Sequence, residues 1–319
     1  MKKVGWKRVL EEAWKGFTVG LAVAVFIMFG FNLDERYELE EPITELPIIY
    51  ELSQANFSNL ATRLYAAPSF PTSEADFEDL RWKRRAIIQK LKAHGFSKSQ
   101  LRAAKRYVDY IEQHQEAAMV DMRTSGVFAS IKLAQALLES AAGSSKLAKS
   151  THNHFGIKAR TKNSGHIKIK SQQYHLLTND DFYAVQPGVD VYRMTDDHQY
   201  DRFELYNSVS DSYARHSQLL TRNCTLGKVG CYAWIWQTFP VSSQFYEIDE
   251  AAQSFYGFSK IAPQDFFDGQ THLAYFAAAA AGLKMAGYAT SKTYHKKIAY
   301  LIETYELYKF DLMVKHLEQ

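Results

Sequence analysis

The sequence predicts an α+β domain, mainly α, preceded by a helical hairpin and an N-terminal transmembrane helix. Three observations carry this. An uncharged apolar run, residues 17–33, follows a basic tail. Two amphipathic helical patterns occupy 73–122. From 123 to 312, helical stretches bracket a β-like segment near 159–206. The chain has 319 residues, 46% hydrophobic and 23% charged. That composition is ordinary for a globular protein and excludes a wholly disordered or multi-span membrane protein. Two cysteines are too few for a disulfide scaffold or a cysteine-rich zinc module.

Charge is placed unevenly. The formal net charge is +3. Residues 1–16 carry Lys2, Lys3, Lys7, Arg8 and Lys15 against Glu11 and Glu12, which accounts for all of it. The rest of the chain is net neutral, which argues against a nucleic-acid partner, because binding phosphates needs basic surface. The run 17–33, FTVGLAVAVFIMFGFNL, spans about 25 Å as a helix. Starting at Trp14 it reaches about 30 Å, a hydrocarbon thickness, if Lys15 snorkels to the interface. Basic residues before it and acidic ones after it place the N-terminus in the cytoplasm and the body outside. The alternative is a cleaved signal peptide, but FGFNLDERYE offers no small-x-small cleavage site.

The remaining elements read in order. Residues 34–72, with Pro42, Pro47, Pro68 and Pro71, form an extracytoplasmic tether. Ser73 and Asp76 make an S-x-x-D start to a helix that stops at Gly95. Ser97 starts a second, and the pair forms a hairpin that packs on the downstream domain. VFASIKLAQALLES, from Val127, is apolar on nearly every face and marks a buried helix. HIKIKSQQYHLL, DFYAVQ and VDVYRM have strand composition. Helical patterns resume at 207–220 and 271–312, and the alanine run 277–281 suits close helix packing.

Glu139 ends the apolar helix. Burial disfavours an ionised carboxylate, and the carbonyls at a helix C-terminus act in the same direction. A carboxyl so placed suits proton donation near neutral pH. The plain alternative is a glutamate that reaches solvent or pairs with Lys146 or Lys149.

The segment AQALLESAAGSSKLAKSTHNHFGIK resembles the core motif of the bacterial glucosaminidases of glycoside hydrolase family 73. The matching positions are Glu139, Ser140, Gly143, Leu147, Ala148, Asn153, Phe155, Gly156, Ile157 and Lys158. RFELYNSVSDSYARHSQLL resembles that family's Phe-x-x-Tyr-x-Ser segment, and AGLKMAGYATSKTYHKKIAYLIETY its closing Gly-Tyr-Ala-Thr segment. The resemblance spans about 125 to 310 in the same motif order. It implies a lysozyme-like, two-lobed fold with a small β-element, and peptidoglycan glycan strands bound between the lobes. Glu139 then matches the general acid that protonates the departing oxygen of a β-1,4 bond, usually after N-acetylglucosamine, as acetal hydrolysis requires.

A second carboxylate, or the substrate's own N-acetyl group, must complete the reaction. The resemblance puts that carboxylate just before the Phe-x-x-Tyr segment, at Asp197 or the adjacent Asp196. Asp201, Glu204, Asp180 and Asp181 are further alternatives. Tyr288 matches a tyrosine near the reaction centre. Asn153, His154, Phe155, Gly156 and Tyr206 match positions against the substrate.

The sequence departs from the family's pattern in its longer β-region, which lacks a Trp-x-Gly pair. Glu204 stands where arginine is common, and 221–270 is an aromatic-rich insertion. That insertion extends the cleft, covers it, or contacts an envelope protein partner. Cys224 and Cys231 are a candidate disulfide. His152 and His154 lack a third ligand, so no metal is expected, and no cofactor. The resulting expectation is a peptidoglycan hydrolase, single-pass in the inner membrane and facing the periplasm. The alternatives are a glycan-binding scaffold and a muramidase or lytic enzyme of the same fold.

Overall fold

The computed structural model describes residues 74–161, 178–194 and 201–318. The basic tail, the apolar segment 17–33, the tether and the stretch HIKIKSQQYHLL lie outside the described residues, as do Asp196 and Asp197. Among the described residues no helix is long and apolar enough to cross a membrane.

Helices α1 (Glu74–Leu80) and α2 (Arg84–Ala93) stand where the sequence predicts one continuous helix. The break falls at Trp82. Its indole N–H donates to the Tyr305 carbonyl at 2.8 Å, and its ring lies 5.9 Å from Phe310. This long-range anchor outweighs the local preference for continuing the helix, a tertiary effect that helix propensity does not carry. Helix α3 (Lys98–Ser125) starts at a complete capping box between Ser97 and Gln100 and ends at Gly126, φ 77°. Both ends obey local rules legible in sequence. Its buried face includes Tyr107, Tyr110, Ile111, His114, Ala118 and Met122.

Helix α4 (Ala129–Glu139) is buried at every position except Leu138, as the all-round apolar pattern predicts. The short α5 (Lys146–Thr151) is capped by the Ser145 hydroxyl. The β-region is small. Strand β1 (Arg160–Thr161) pairs antiparallel with β2 (Phe182–Tyr183). Strand β3 (Asp190–Arg193) pairs antiparallel with β4 (Arg202–Leu205). Helix α6 (Val209–Leu220) comes next, capped by Ser208.

The insertion folds as α7 (Ala233–Thr238), β5 (Phe245–Glu247), α8 (Asp249–Ser259) and α9 (Pro263–Phe266). Cys224 and Cys231 form a disulfide at its start. Trp234, Ile235, Phe239, Ile248, Phe255 and Phe266 are buried in the common core, so this stretch is an integral part of the body. The single helical pattern of 271–312 resolves into four elements. They are β6 (His272–Ala274), paired with β5, then α10 (Tyr275–Met285), α11 (Tyr294–Thr304) and α12 (Tyr308–Leu317). A Cβ on Gly282 of α10 would sit 3.0 Å from Ile235 Cγ1. The glycine and the alanine run thus let α7 approach the α10 backbone. The described chain is mainly helical with three two-stranded sheets.

Candidate active site

Glu139 lies at the C-terminal end of α4 and is 8% exposed. The chain turns sharply behind it. Ala141, Ala142 and Gly143 succeed one another in the left-handed region, at φ 50°, 54° and 72°. An L-residue held there costs about 1 kcal/mol or more, so the turn needs fastening. The Ser140 hydroxyl donates to Ala136 O and accepts the Gly143 N–H at 2.7 Å. Ala142 N–H donates to Leu137 O at 2.9 Å. Gly143 has a further reason to be glycine, since a Cβ there would lie 3.1 Å from the Tyr110 ring.

Helix α11 faces the acid. The Tyr294 hydroxyl donates to Glu139 Oε1 at 3.4 Å and accepts from the Gln135 amide at 2.8 Å. Burial holds the Lys297 ammonium below its usual range, and the charge of Glu139 pulls the other way. Tyr288, in the loop between α10 and α11, stacks on Tyr294 with ring centroids 5.5 Å apart. The structure therefore brings Tyr288 and Glu139 into one cluster through Tyr294, a residue that the sequence motifs do not single out.

Behind Tyr288 lies a buried polar chain. His216 Nε2 is 2.7 Å from the Tyr288 hydroxyl, and its ring stacks on Phe155 at 4.0 Å. Lys132, wholly buried in α4, donates to Tyr213 O at 2.6 Å and lies 3.3 Å from His216 Nδ1. Asp121 Oδ2 is 3.3 Å from the same ammonium and accepts from the Ser217 hydroxyl at 2.6 Å. The available signal was a lysine inside an apolar helix, two turns before Glu139.

The residues expected against the substrate build the site from behind. Asn153 is 1% exposed. Its amide donates to Ile157 O and Glu204 O, each at 2.9 Å, and its Oδ1 accepts the Ile157 N–H at 2.9 Å. All its polar atoms are thereby committed to backbone. Phe155 and Gly156 are buried. His154 Nδ1 is bonded to the Tyr110 hydroxyl. Burial, with the charges of His114 and His152, lowers the His154 pKa to about 4. Tyr206 is 1% exposed and its hydroxyl donates to Glu204 Oε2 at 2.7 Å. In this arrangement the side-chain polar atoms of Asn153 and the Tyr206 hydroxyl are bonded within the protein.

The alternative acids separate in the same way. Glu204 has no solvent exposure. It accepts from Arg215 Nε at 3.1 Å, from Tyr206 and from the Val185 N–H at 3.1 Å. It ties the β2–β3 connection, β4 and α6 together, which is a structural task. Asp201 is 3.2 Å from the Lys158 ammonium. Asp181 accepts from Thr178, and Asp180 is exposed in the same turn. Among the described residues no group of three or more His, Cys, Asp or Glu side chains could hold a metal ion.

Residues 115–307 match the family model named glucosaminidase, described as mannosyl-glycoprotein endo-β-N-acetylglucosaminidase. No curated protein matches the sequence. Several solved structures are similar at low identity. The catalytic domain of the autolysin Auto from Listeria monocytogenes is 20% identical, over 68% of this chain and 98% of that one, with TM-score 0.35. A truncated glycoside hydrolase domain of FlgJ from Salmonella typhimurium is 20% identical, over 66% and 96%, with TM-score 0.33. A peptidoglycan hydrolase from Sphingomonas sp. A1 is 19% identical, over 61% and 86%, with TM-score 0.32.

Proposed function

The chain belongs to the glucosaminidase family, and on that premise we propose that it hydrolyses β-1,4 bonds of the peptidoglycan glycan strand. The bond cut is the one after N-acetylglucosamine, and Glu139 is the general acid. The observation that carries this reading is the placement of Glu139. It is a nearly buried carboxyl at the end of an apolar helix, with Tyr294 hydrogen-bonded to it and Tyr288 stacked beside that tyrosine. A general acid must hold its proton until the glycosidic oxygen departs.

Glu139 passes its proton to that oxygen as the C1–O bond breaks, leaving an oxocarbenium-like sugar. Asp196 or Asp197 then takes a proton from a water whose oxygen bonds C1 from the opposite face, or the substrate's own N-acetyl oxygen bonds C1 first and water afterwards opens the ring so formed to complete hydrolysis. Tyr288 hydrogen-bonds the reacting sugar or its N-acetyl group. Residues 17–33 anchor the chain in the inner membrane, the tether 34–72 gives the domain reach into the periplasm, and 221–270 offers a surface to an envelope protein.

Mass spectrometry of borohydride-reduced peptidoglycan fragments tests the reading, comparing the full chain with Glu139→Gln. New N-acetylglucosaminitol ends from the wild type alone support it. Muramitol or anhydro-muramic ends lost in the variant keep the acid and change the bond. Absence of new ends from a folded, glycan-retaining wild type would replace the hydrolase with a glycan-binding scaffold.

A further inference from the structure

We infer that Lys132 and His216 are positioning residues that fix the direction of the Tyr288 hydroxyl proton, making Tyr288 a hydrogen-bond donor to the bound sugar. The inference rests on the glycan-cleaving reading above. It begins with proton counting. A lysine ammonium carries three N–H donors and no lone pair. Lys132 has three acceptors around it: Tyr213 O, Asp121 Oδ2 and His216 Nδ1, at 2.6, 3.3 and 3.3 Å. A charged amine can meet Nδ1 only as a donor, so Nδ1 must present its lone pair.

The imidazole itself is neutral. Burial, then the charges of Lys132 and Arg215, hold its pKa well below the ordinary value. A neutral ring with a bare Nδ1 carries its proton on Nε2. Nε2 lies 2.7 Å from the Tyr288 oxygen and therefore donates to it. An oxygen that accepts from His216 turns its own proton away from His216. Tyr288 is half-buried and belongs to the ring cluster beside Glu139. The acceptors a reacting sugar brings there are its hydroxyls and its N-acetyl carbonyl. With the opposite tautomer, Tyr288 would spend its proton on the histidine. The stack of His216 on Phe155, interplanar angle 10°, keeps the ring plane from turning.

The lock depends on the charge of Lys132. The groups facing it and His216 are Asp121 from α3, Tyr213 and Arg215 from α6, and Tyr288 from the α10–α11 loop. Arg215 is itself paired with Glu204. Burial pushes the Lys132 ammonium down to about 8 although Asp121 opposes the shift. Above that pH the amine gains a lone pair, Nδ1 is free to take a proton, and Tyr288 loses its enforced role. Tyr288-dependent turnover therefore falls on the alkaline side.

Histidine ¹⁵N NMR on the full chain tests the lock without any activity assay, with the His216 signals assigned by their absence from His216→Gln. The expected result is protonated Nε2 and bare Nδ1 at neutral pH, giving way to mixed tautomers as Lys132 titrates. Protonated Nδ1, or an imidazolium, would overturn it. Kinetics on peptidoglycan give the second readout. His216→Phe keeps the stacked ring, removes the donor and loses at least about tenfold in kcat, while His216→Gln keeps a donor and loses less. Equal losses in two folded variants would refute the positioning role. The expected tautomer in a protein that cuts no glycan would overturn the hydrolase reading and leave the lock standing.

Discussion

Asn153 is the sharpest place to separate a structural role from a substrate contact. Replacing it by alanine removes two donated hydrogen bonds and one accepted one. The Ile157 carbonyl keeps the Glu204 N–H at 3.0 Å, so its loss is small. The Ile157 N–H and the Glu204 carbonyl each lose a bond in a site where Asn153 is 1% exposed. A buried polar group left unsatisfied costs about 1–3 kcal/mol, so the expected destabilisation is about 3 kcal/mol. For a body of this size that lowers Tm by roughly 6–12 °C. Thermal unfolding tracked by circular dichroism measures it, beside KM for glycan. A Tm within about 1 °C of wild type, accompanied by a raised KM, would refute the argument and return Asn153 to the substrate surface that the sequence resemblance implied.

Arg215→Ala strands the fully buried Glu204 carboxylate and is expected to cost about 3–5 kcal/mol in urea unfolding. Replacing the pair together, as Glu204→Gln with Arg215→Met, should cost less than Arg215→Ala alone, because no unpaired charge stays buried. The buried Asp311 accepts from Ser130 and Tyr275, yet burial raises its pKa from 3.8 to about 7. Between those values the native state holds a proton that the unfolded chain has released. Asp311 therefore lowers stability progressively as pH rises from about 4 to about 7. Asp311→Asn should remove that pH-dependent component, and parallel slopes for wild type and variant over that window would contradict it.

Much of the helical framework was legible from local chemistry. Ser97 with Gln100, Gly126 at the end of α3 and the all-round apolar α4 each announce themselves by rules that need only neighbouring residues. The resemblance carried Glu139 and Tyr288 to positions that the fold brings together. What escaped was set by distant partners. The break at Trp82 depends on Tyr305, more than two hundred residues on. Asn153 and Tyr206 look like ligand contacts in a motif, and only folding reveals that their polar atoms are already spent. Lys132 and His216 are far apart in the chain and acquire meaning together. Tyr294 lies inside a helical pattern, where a tyrosine reads as core. The preferred second acids, Asp196 and Asp197, fall outside the described residues.

The fastening at Glu204 has a further consequence for how the β-ribbon comes undone. One carboxylate is common to bonds from Val185, Tyr206 and Arg215, so these attachments are not independent parts. Removing the carboxylate releases all three at once. Their mutational energies should be strongly non-additive, as expected for groups sharing a partner. Loss of Glu204 is therefore expected to loosen the β2–β3 connection, β4 and α6 together, which hydrogen exchange of their amides would register as one shared change in protection.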